Sequence, residues 1–359
     1  MSGGVDSAVT AYLLQKDGYE CCGCTMKLYD ADELTRGAGD NASCNAKTCC
    51  SLKDVEDAKS VAAGLGMEHY VLNFKREFDA AVIQSFVEAY QRGETPNPCI
   101  ECNRTMKFDL LLERARQLGF DGIATGHYAR ITFEDGRYHL LKAGDPAKDQ
   151  SYVLYSLTQE QLAHVLFPLG DMHKDQVRQI AGEQGFVNAR KHDSQDICFV
   201  PDGDYAGMIE RYTGESPQAG NFVNREGHVI ARHRGIIHYT IGQRRGLGIP
   251  ADRRLYVVEI RPETNEVVLG DDEDLFLKKV YVKNFHYIAG EDQMPASFRG
   301  SCKVRYRHKE QPCSVEILQN GDARITFDQP QRAITPGQTA VVYDGEEVLG
   351  GGLIRKSEF

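Results

Sequence analysis

Six residues near the start, Ser2-Gly3-Gly4-Val5-Asp6-Ser7, run directly into the apolar, helix-patterned stretch 8–15, which Gly18 closes. Two adjacent glycines let the backbone turn so that successive N–H groups point one way, making an anion nest at a helix N-terminus. Ser2 and Ser7 add hydroxyl donors, and Asp6 can hold a metal ion or cap the helix. This describes a pyrophosphate cradle, though not of the Walker type, because no Lys follows the glycines. The plainer alternative is a Ser-Gly-Gly turn that only caps a helix.

The rest of the chain alternates strand and helix in its first half. Residues 19–29 predict a strand leading into a polar, Gly- and Asn-rich loop over 30–52 that carries Cys44, Cys49 and Cys50. Val55, Ala58, Val61, Ala62 and Leu65 keep helical spacing, and HYVLNF after them reads as a strand. Phe78, Ala81, Val82, Phe86 and Tyr90 mark another helix, and residues 120–128 another strand. Alternation of this kind predicts a doubly wound parallel sheet. Residues 129–142 predict a hairpin turning on Asp135-Gly136, with helical patterns over 151–165 and 173–184. Past Tyr205 the pattern shifts to strands, with turns at 224–227, Asn320-Gly321 and Asp344-Gly345. Three domains are expected: an α/β catalytic domain over 1–204, a small linking domain over 205–275 and an antiparallel β-barrel over 276–359.

Composition narrows the class. At 359 residues, with 41% hydrophobic and 26% charged residues, the chain has the balance of an ordinary soluble globular protein. No basic segment precedes an apolar run, and no stretch holds eighteen apolar residues, so neither secretion nor membrane association is expected. Eleven cysteines without an export signal predict a reduced, cytoplasmic protein with a few reactive thiols. The net charge of −10 argues against unspecific nucleic-acid binding, so an RNA partner requires a local basic face. Residues 232–248 and 303–309 supply one, interleaving cations with aromatics.

Two cysteine stretches attract chemistry. In TPNPCIECNRTMKF (95–108) a rigid two-proline loop is followed by a helix expected to begin near Cys102, whose thiol would gain thiolate character from the helix terminus, Arg104 and Lys107. Cys99 and Cys102 also form a CxxC, open to three readings: a redox pair, half of a metal site, or two inert cysteines. A structural zinc site would want a second CxxC, which is absent, so no metal ligands are assigned. In KHDSQDICFV (191–200), Cys198 lies on a strand-like segment after a crowded polar loop, where core packing is the plain alternative.

SGGVDS resembles the PP-loop of ATP pyrophosphatases. With NPCIECN, ATGHYAR, KDQSYVLY, DSQDICFV and HYTIGQRRGLG in this order, nearly the whole chain resembles the tRNA-specific 2-thiouridylase family. The resemblance implies a sheet of the adenine-nucleotide alpha-hydrolase type. Such loops normally follow a buried strand, and Met1 stands where relatives carry an internal methionine, so the recorded start is expected to be a downstream Met or a truncation that leaves the sheet without its first strand.

The resemblance also implies an activity: ATP adenylates O2 of the wobble uridine in tRNAs for Lys, Glu and Gln, and a cysteine persulfide delivers the sulfur. It assigns ATP, with Mg²⁺, to Met1, Ser2, Gly3, Gly4, Val5, Asp6, Ser7, Met26 and Gly126. Cys102 is implied as nucleophile and Cys198 as persulfide carrier, the two forming a transient disulfide. Asn97, Pro98 and Cys99 match the loop that holds the target base; some relatives carry Asp where Cys99 stands. His127, Lys148, Asp149, Gln150, Arg305, Tyr306 and Gln338 match tRNA contacts. A sulfur-relay protein or cysteine desulfurase would supply the persulfide. Rival readings are another PP-loop ATPase, an iron–sulfur thiolase using Cys99, Cys102 and Cys198, and a non-catalytic RNA-binding protein with a disabled PP-loop.

Overall fold

The computed structural model describes residues 1–30, 52–191, 197–250 and 252–355. The expected loop over 30–52 and the polar residues His192 to Asp196 fall almost wholly outside them. The chain divides into two compact units. The first holds Met1–Ile83, Pro98–Asp204 and Glu346–Val348; the second holds Gln84–Asn97, Tyr205–Gly345 and Leu349–Phe359.

In the first unit, helix α1 (Val5–Lys16) buries Val5, Ala8, Val9, Ala11 and Leu14. Strand β1 (Gly23–Lys27), helix α2 (Leu52–Gly64) and strand β2 (His69–Asn73) follow, β1 and β2 pairing in parallel. Strand β3 (Ile123–Ala124) pairs in parallel with β6 (Val165–Leu166). Among the described residues the parallel strands thus form two separate pairs. The strand expected over 120–128 shrinks to two residues. A side chain on Gly122 would meet the His164 carbonyl, and the chain leaves strand geometry so that Gly126 can press on α1. In the chain between β3 and β6, β4 (Arg130–Glu134) and β5 (Arg137–Leu141) form the expected hairpin. Asp135 and Gly136 both have positive φ, as a two-residue turn of matching twist requires.

The second unit contains a four-stranded sheet and a barrel. Strands β7 (Gly220–Val223), β8 (Val229–His233), β9 (Tyr256–Arg261) and β10 (Glu266–Gly270) take the order β8-β7-β10-β9. Gln84–Asn97 belongs here because Phe86 and Tyr90 pack their rings on Tyr205 at the head of the Tyr205–Thr213 helix.

Strands β11 (Phe276–Tyr287), β12 (Ser297–Lys303), β13 (Gln311–Ile317), β14 (Ala323–Arg332), β15 (Thr339–Asp344) and β16 (Glu347–Ile354) take the order β11-β14-β13-β12-β15-β16, and pairing of β16 with β11 closes the barrel. Alternate residues face inward, so Cys313 and Val315 of β13 meet Ala323, Ile325 and Phe327 of β14 in one core. Phe327 is fully buried there. Phe327→Ala is expected to cost about 3–5 kcal/mol, read as a lowered denaturant midpoint.

Candidate active site

The first turn of α1 is the centre of the first unit. Gly4 is its N-cap residue, and no side chain caps it, so helix N–H donors stay available to a bound anion. Asp6 therefore does not cap the helix. Gly3 has φ +69°, and a Cβ there would lie 2.3 Å from the Asp54 carbonyl oxygen, so only glycine fits. Ser7 Oγ donates to the Gly4 carbonyl at 3.0 Å and accepts the Ser2 N–H at 3.1 Å, fixing the loop's curvature. The Met1 amino group donates to the Cys24 carbonyl, and Met1's own carbonyl accepts from Thr25 Oγ1 at 2.6 Å, so Met1 lies along β1.

Other segments converge on this turn. A Cβ on Gly126 would stand 2.9 Å from the Asp6 carbonyl carbon and 3.0 Å from the Ser7 nitrogen, so the chain at 126 lies directly on the helix mouth. Tyr128 OH donates to Asp6 Oδ1 at 2.8 Å. Lys174, at the start of the Lys174–Glu183 helix, donates to Asp6 Oδ1 at 2.7 Å and Oδ2 at 2.8 Å; its side chain is only 7% exposed. The lysine that the loop lacks locally thus arrives from 168 residues further along the chain. On the far side of the loop, Asn188 Nδ2 and Lys191 Nζ both donate to the Gly3 carbonyl, at 3.1 and 3.0 Å. Burial works against the Lys191 charge, but Asp54 and Asp57, which it bonds at 2.5 and 2.9 Å, raise its pKa above the ordinary value. Met26 lies half-buried on β1.

The two thiol segments depart from expectation. The helix starts at Pro98, not near Cys102, because proline's fixed φ suits a first helical position. Cys99 is therefore exposed in the first turn. Cys102 lies one turn in, half-buried, and opens a π-helical stretch, Cys102–Leu111. Runs of π-helix are rare and gather at functional sites. Cys198 sits in a tight turn rather than on a strand, its Ile197 carbonyl accepting the Val200 N–H at 2.9 Å. Of its apolar neighbours, Phe199 and Val200 are buried, Phe199 packing edge-on against Phe78, while Ile197 is half-buried. Tyr29, stacked on the same Phe78, donates its hydroxyl to the Cys198 carbonyl at 2.5 Å. Among the described residues no three His, Cys, Asp or Glu side chains gather as a metal site.

His127 is buried between Phe108 and Phe167, its Nδ1 2.7 Å from Thr125 Oγ1 and its Nε2 3.4 Å from Lys107 Nζ. Burial, reinforced by the Lys107 charge, pushes its pKa well below the usual imidazole value, so the ring is neutral. Gln150 and Tyr128 exchange bonds, and Asp149 accepts from the Ala143 and Ser151 N–H groups, so both shape the loop that also carries Lys148. In the second unit Arg305, Tyr306 and Arg307 are exposed together in the turn after β12. Gln338 instead turns its amide inward, donating to the Thr95 carbonyl at 2.7 Å.

Three family models cover the chain: a tRNA methyl transferase HUP domain over residues 1–202, a tRNA methyl transferase PRC-barrel domain over 206–271 and an aminomethyltransferase beta-barrel domain over 277–354. The chain is 49% identical over 357 residues to the tRNA-specific 2-thiouridylase MnmA of Lachnoclostridium phytofermentans, across 99% of this chain and 98% of that one. It is 47% identical over 359 residues to the protein of the same name from Clostridioides difficile, across 99% and 97%. The chain belongs to the tRNA-specific 2-thiouridylase family.

Within this thiouridylase-family fold, sequence reasoning missed Lys174, Asn188, Lys191 and Tyr29. Each reaches its partner over a long sequence separation, so no local spacing marks it. The geometry carries two expected outcomes. Gly3→Ala forces a residue into positive φ, costing about 1–3 kcal/mol before the overlap with Asp54 is counted; a lowered melting midpoint is expected. For His127, the unfolded chain takes up a proton near pH 6.5 while the folded one resists it. Stability present above that pH is therefore lost as pH falls toward the folded value, by up to about 1.4 kcal/mol per unit. His127→Gln should flatten that slope, measured as melting midpoint against pH from 7.5 to 5.

Proposed function

We propose that this chain uses ATP to exchange the C2 oxygen of the wobble uridine for sulfur in tRNAs for Lys, Glu and Gln. The observation that carries this reading is the cradle itself: an uncapped helix mouth, Gly126 pressed on its first turn, and a buried lysine on Asp6. The family's full-length identity supports the choice of substrate.

A uridine carbonyl oxygen is a poor leaving group, so it is activated first. O2 attacks the α-phosphorus of ATP, pyrophosphate departs, and the N–H groups at the α1 mouth stabilise charge on the phosphates. Asp6 and Ser7 offer the oxygen donors Mg²⁺ takes, and Asp6, 30% exposed, fits that role. Bound there, Mg²⁺ would neutralise phosphate charge. The Lys174 ammonium, held beside the helix mouth on Asp6, would add positive charge toward a phosphate bound there.

Cys198 carries the persulfide, received from a sulfur-relay protein or a cysteine desulfurase, and Tyr29 fixes its turn. The terminal sulfur becomes bonded to C2 and AMP leaves with the C2 oxygen. Cys102 thiolate attacks the Cys198 sulfur, whether before or after that bond forms, which breaks the S–S bond and leaves a Cys102–Cys198 disulfide. An external thiol reduces it for the next cycle. Asn97, Pro98 and Cys99 receive the base turned out of the anticodon stack. Arg305 and Tyr306 contribute an exposed cation and ring to the RNA face. His127, neutral and buried, supports the Lys107 side of the pocket rather than pairing with phosphate.

The test uses unmodified tRNA, Mg²⁺-ATP and a persulfide donor, with products resolved on a mercury-containing gel that retards thiolated RNA. An ATP-dependent shift is expected, absent in Cys102→Ser and Cys198→Ser. No shift with the wild-type protein would overturn the reading. Lys174→Met is expected to weaken ATP binding about tenfold or more in calorimetry, the loss of a charge-assisted phosphate contact.

A further inference from the structure

The Gly3 carbonyl, inside the first unit, has both of its lone pairs filled from one stretch of chain. Asn188 Nδ2 donates to it at 3.1 Å and Lys191 Nζ at 3.0 Å. A trans peptide is planar, so a carbonyl held to one side sends the following N–H to the other. The Gly4 N–H therefore points away from Asn188 and Lys191, and no acceptor among the described residues takes it. It joins the uncapped N–H donors at the mouth of α1.

The two donors are unusual for side chains that only fasten a loop. Asn188 is 3% exposed, and its Oδ1 has no partner among the described residues. A buried amide ordinarily satisfies both halves; here the acceptor stays bare while the donor serves Gly3. Lys191 brings a full charge, kept by Asp54 and Asp57 of α2, which bond the same ammonium. An ammonium on a peptide oxygen polarises the whole unit and makes its N–H a stronger donor.

We propose that Asn188 and Lys191 are positioning residues for ATP: they set the Gly3–Gly4 peptide so that the Gly4 N–H meets a phosphate, and neither touches the nucleotide. This rests on the reading of the α1 mouth as the pyrophosphate cradle. It gives Lys191 a task distinct from that of Lys174, whose ammonium lies on Asp6 rather than on the loop backbone.

Three variants test it. Asn188→Leu removes the donor at similar size, Lys191→Met removes the charge, and Lys191→Arg keeps both charge and donors. Each is titrated by calorimetry with magnesium pyrophosphate and with a non-hydrolysable ATP analogue, and its tRNA affinity is measured by filter binding. Isotope-labelled glycine lets the Gly4 amide be followed by NMR. In the wild-type protein the Gly4 proton should move downfield on addition of magnesium pyrophosphate, the mark of a new bond to a phosphate oxygen. Asn188→Leu and Lys191→Met should each lose most of that shift and about tenfold in affinity for both probes, with tRNA affinity within about twofold. The double variant should lose less than the product of the two, because both act through one carbonyl. Lys191→Arg should recover most of the loss.

A Gly4 shift that survives in either single variant overturns the proposal. So does a loss confined to Lys191→Met, which would make that lysine a direct phosphate contact. Each single variant decides separately, so one that does not fold leaves the other to judge. Wild-type protein that binds neither probe overturns the functional reading and the proposal together, whereas wild-type binding with unchanged variants overturns the proposal alone.

Discussion

The pairing of Asp6 with Lys174 ties together the parts on which the first unit depends. Asp6 belongs to the first turn of α1, Lys174 begins a helix far along the chain, and Tyr128 adds its hydroxyl to the same carboxylate. The lysine is nearly buried and lies 5.7 Å from the Tyr128 ring centre, so its charge needs both the carboxylate and the ring. An acid held this way is also a poised one. Both of its oxygens are already engaged by the Lys174 ammonium, with the Tyr128 hydroxyl on Oδ1.

A second set of contacts works from the opposite side of the loop. Gly3 accepts from both Asn188 and Lys191, and its backbone sits against Asp54 with no room for a side chain. The glycine turn ahead of α1 is therefore gripped by α2 and by the segment that runs on toward Cys198. The energetics favour rigidity here. A charge-assisted bond network around a positive-φ glycine gives a single conformation, which a preorganised anion site requires.

Much of this was legible in the sequence, and unevenly. Short-range chemistry announced itself: Asp135-Gly136 makes the hairpin turn, Asn320-Gly321 and Asp344-Gly345 turn the barrel strands, and the spacing of Ala58, Val61 and Ala62 marks a helix. Gly3 and Gly126 could be named from the motif, yet the reason for each is an atom of Asp54 or Asp6 that only folding brings near. Lys174, Lys191 and Tyr29 left no local signal, because a lone lysine or tyrosine looks alike whether it meets solvent or a loop 168 residues away. Cys198 misled as a strand residue since burial of Phe199 and Val200 produces the same apolar pattern in a turn. Cys102 misled because Pro98 is an equally good place to begin a helix.

The π-helical stretch from Cys102 to Leu111 has a mechanical consequence. Its ladder spans one residue more per bond than an α-helix, so the stretch stores a one-residue offset between the turns before and after it. Sliding that offset along the ladder, or out of it, turns the preceding residues about the axis by roughly 100°, the angle between neighbours on an α-helix. Such a slide breaks no covalent geometry and exchanges hydrogen bonds nearly one for one. Cys99 and Cys102 lie at the N-terminal end of that stretch, so the offset sets the direction in which each sulfur leaves the helix axis.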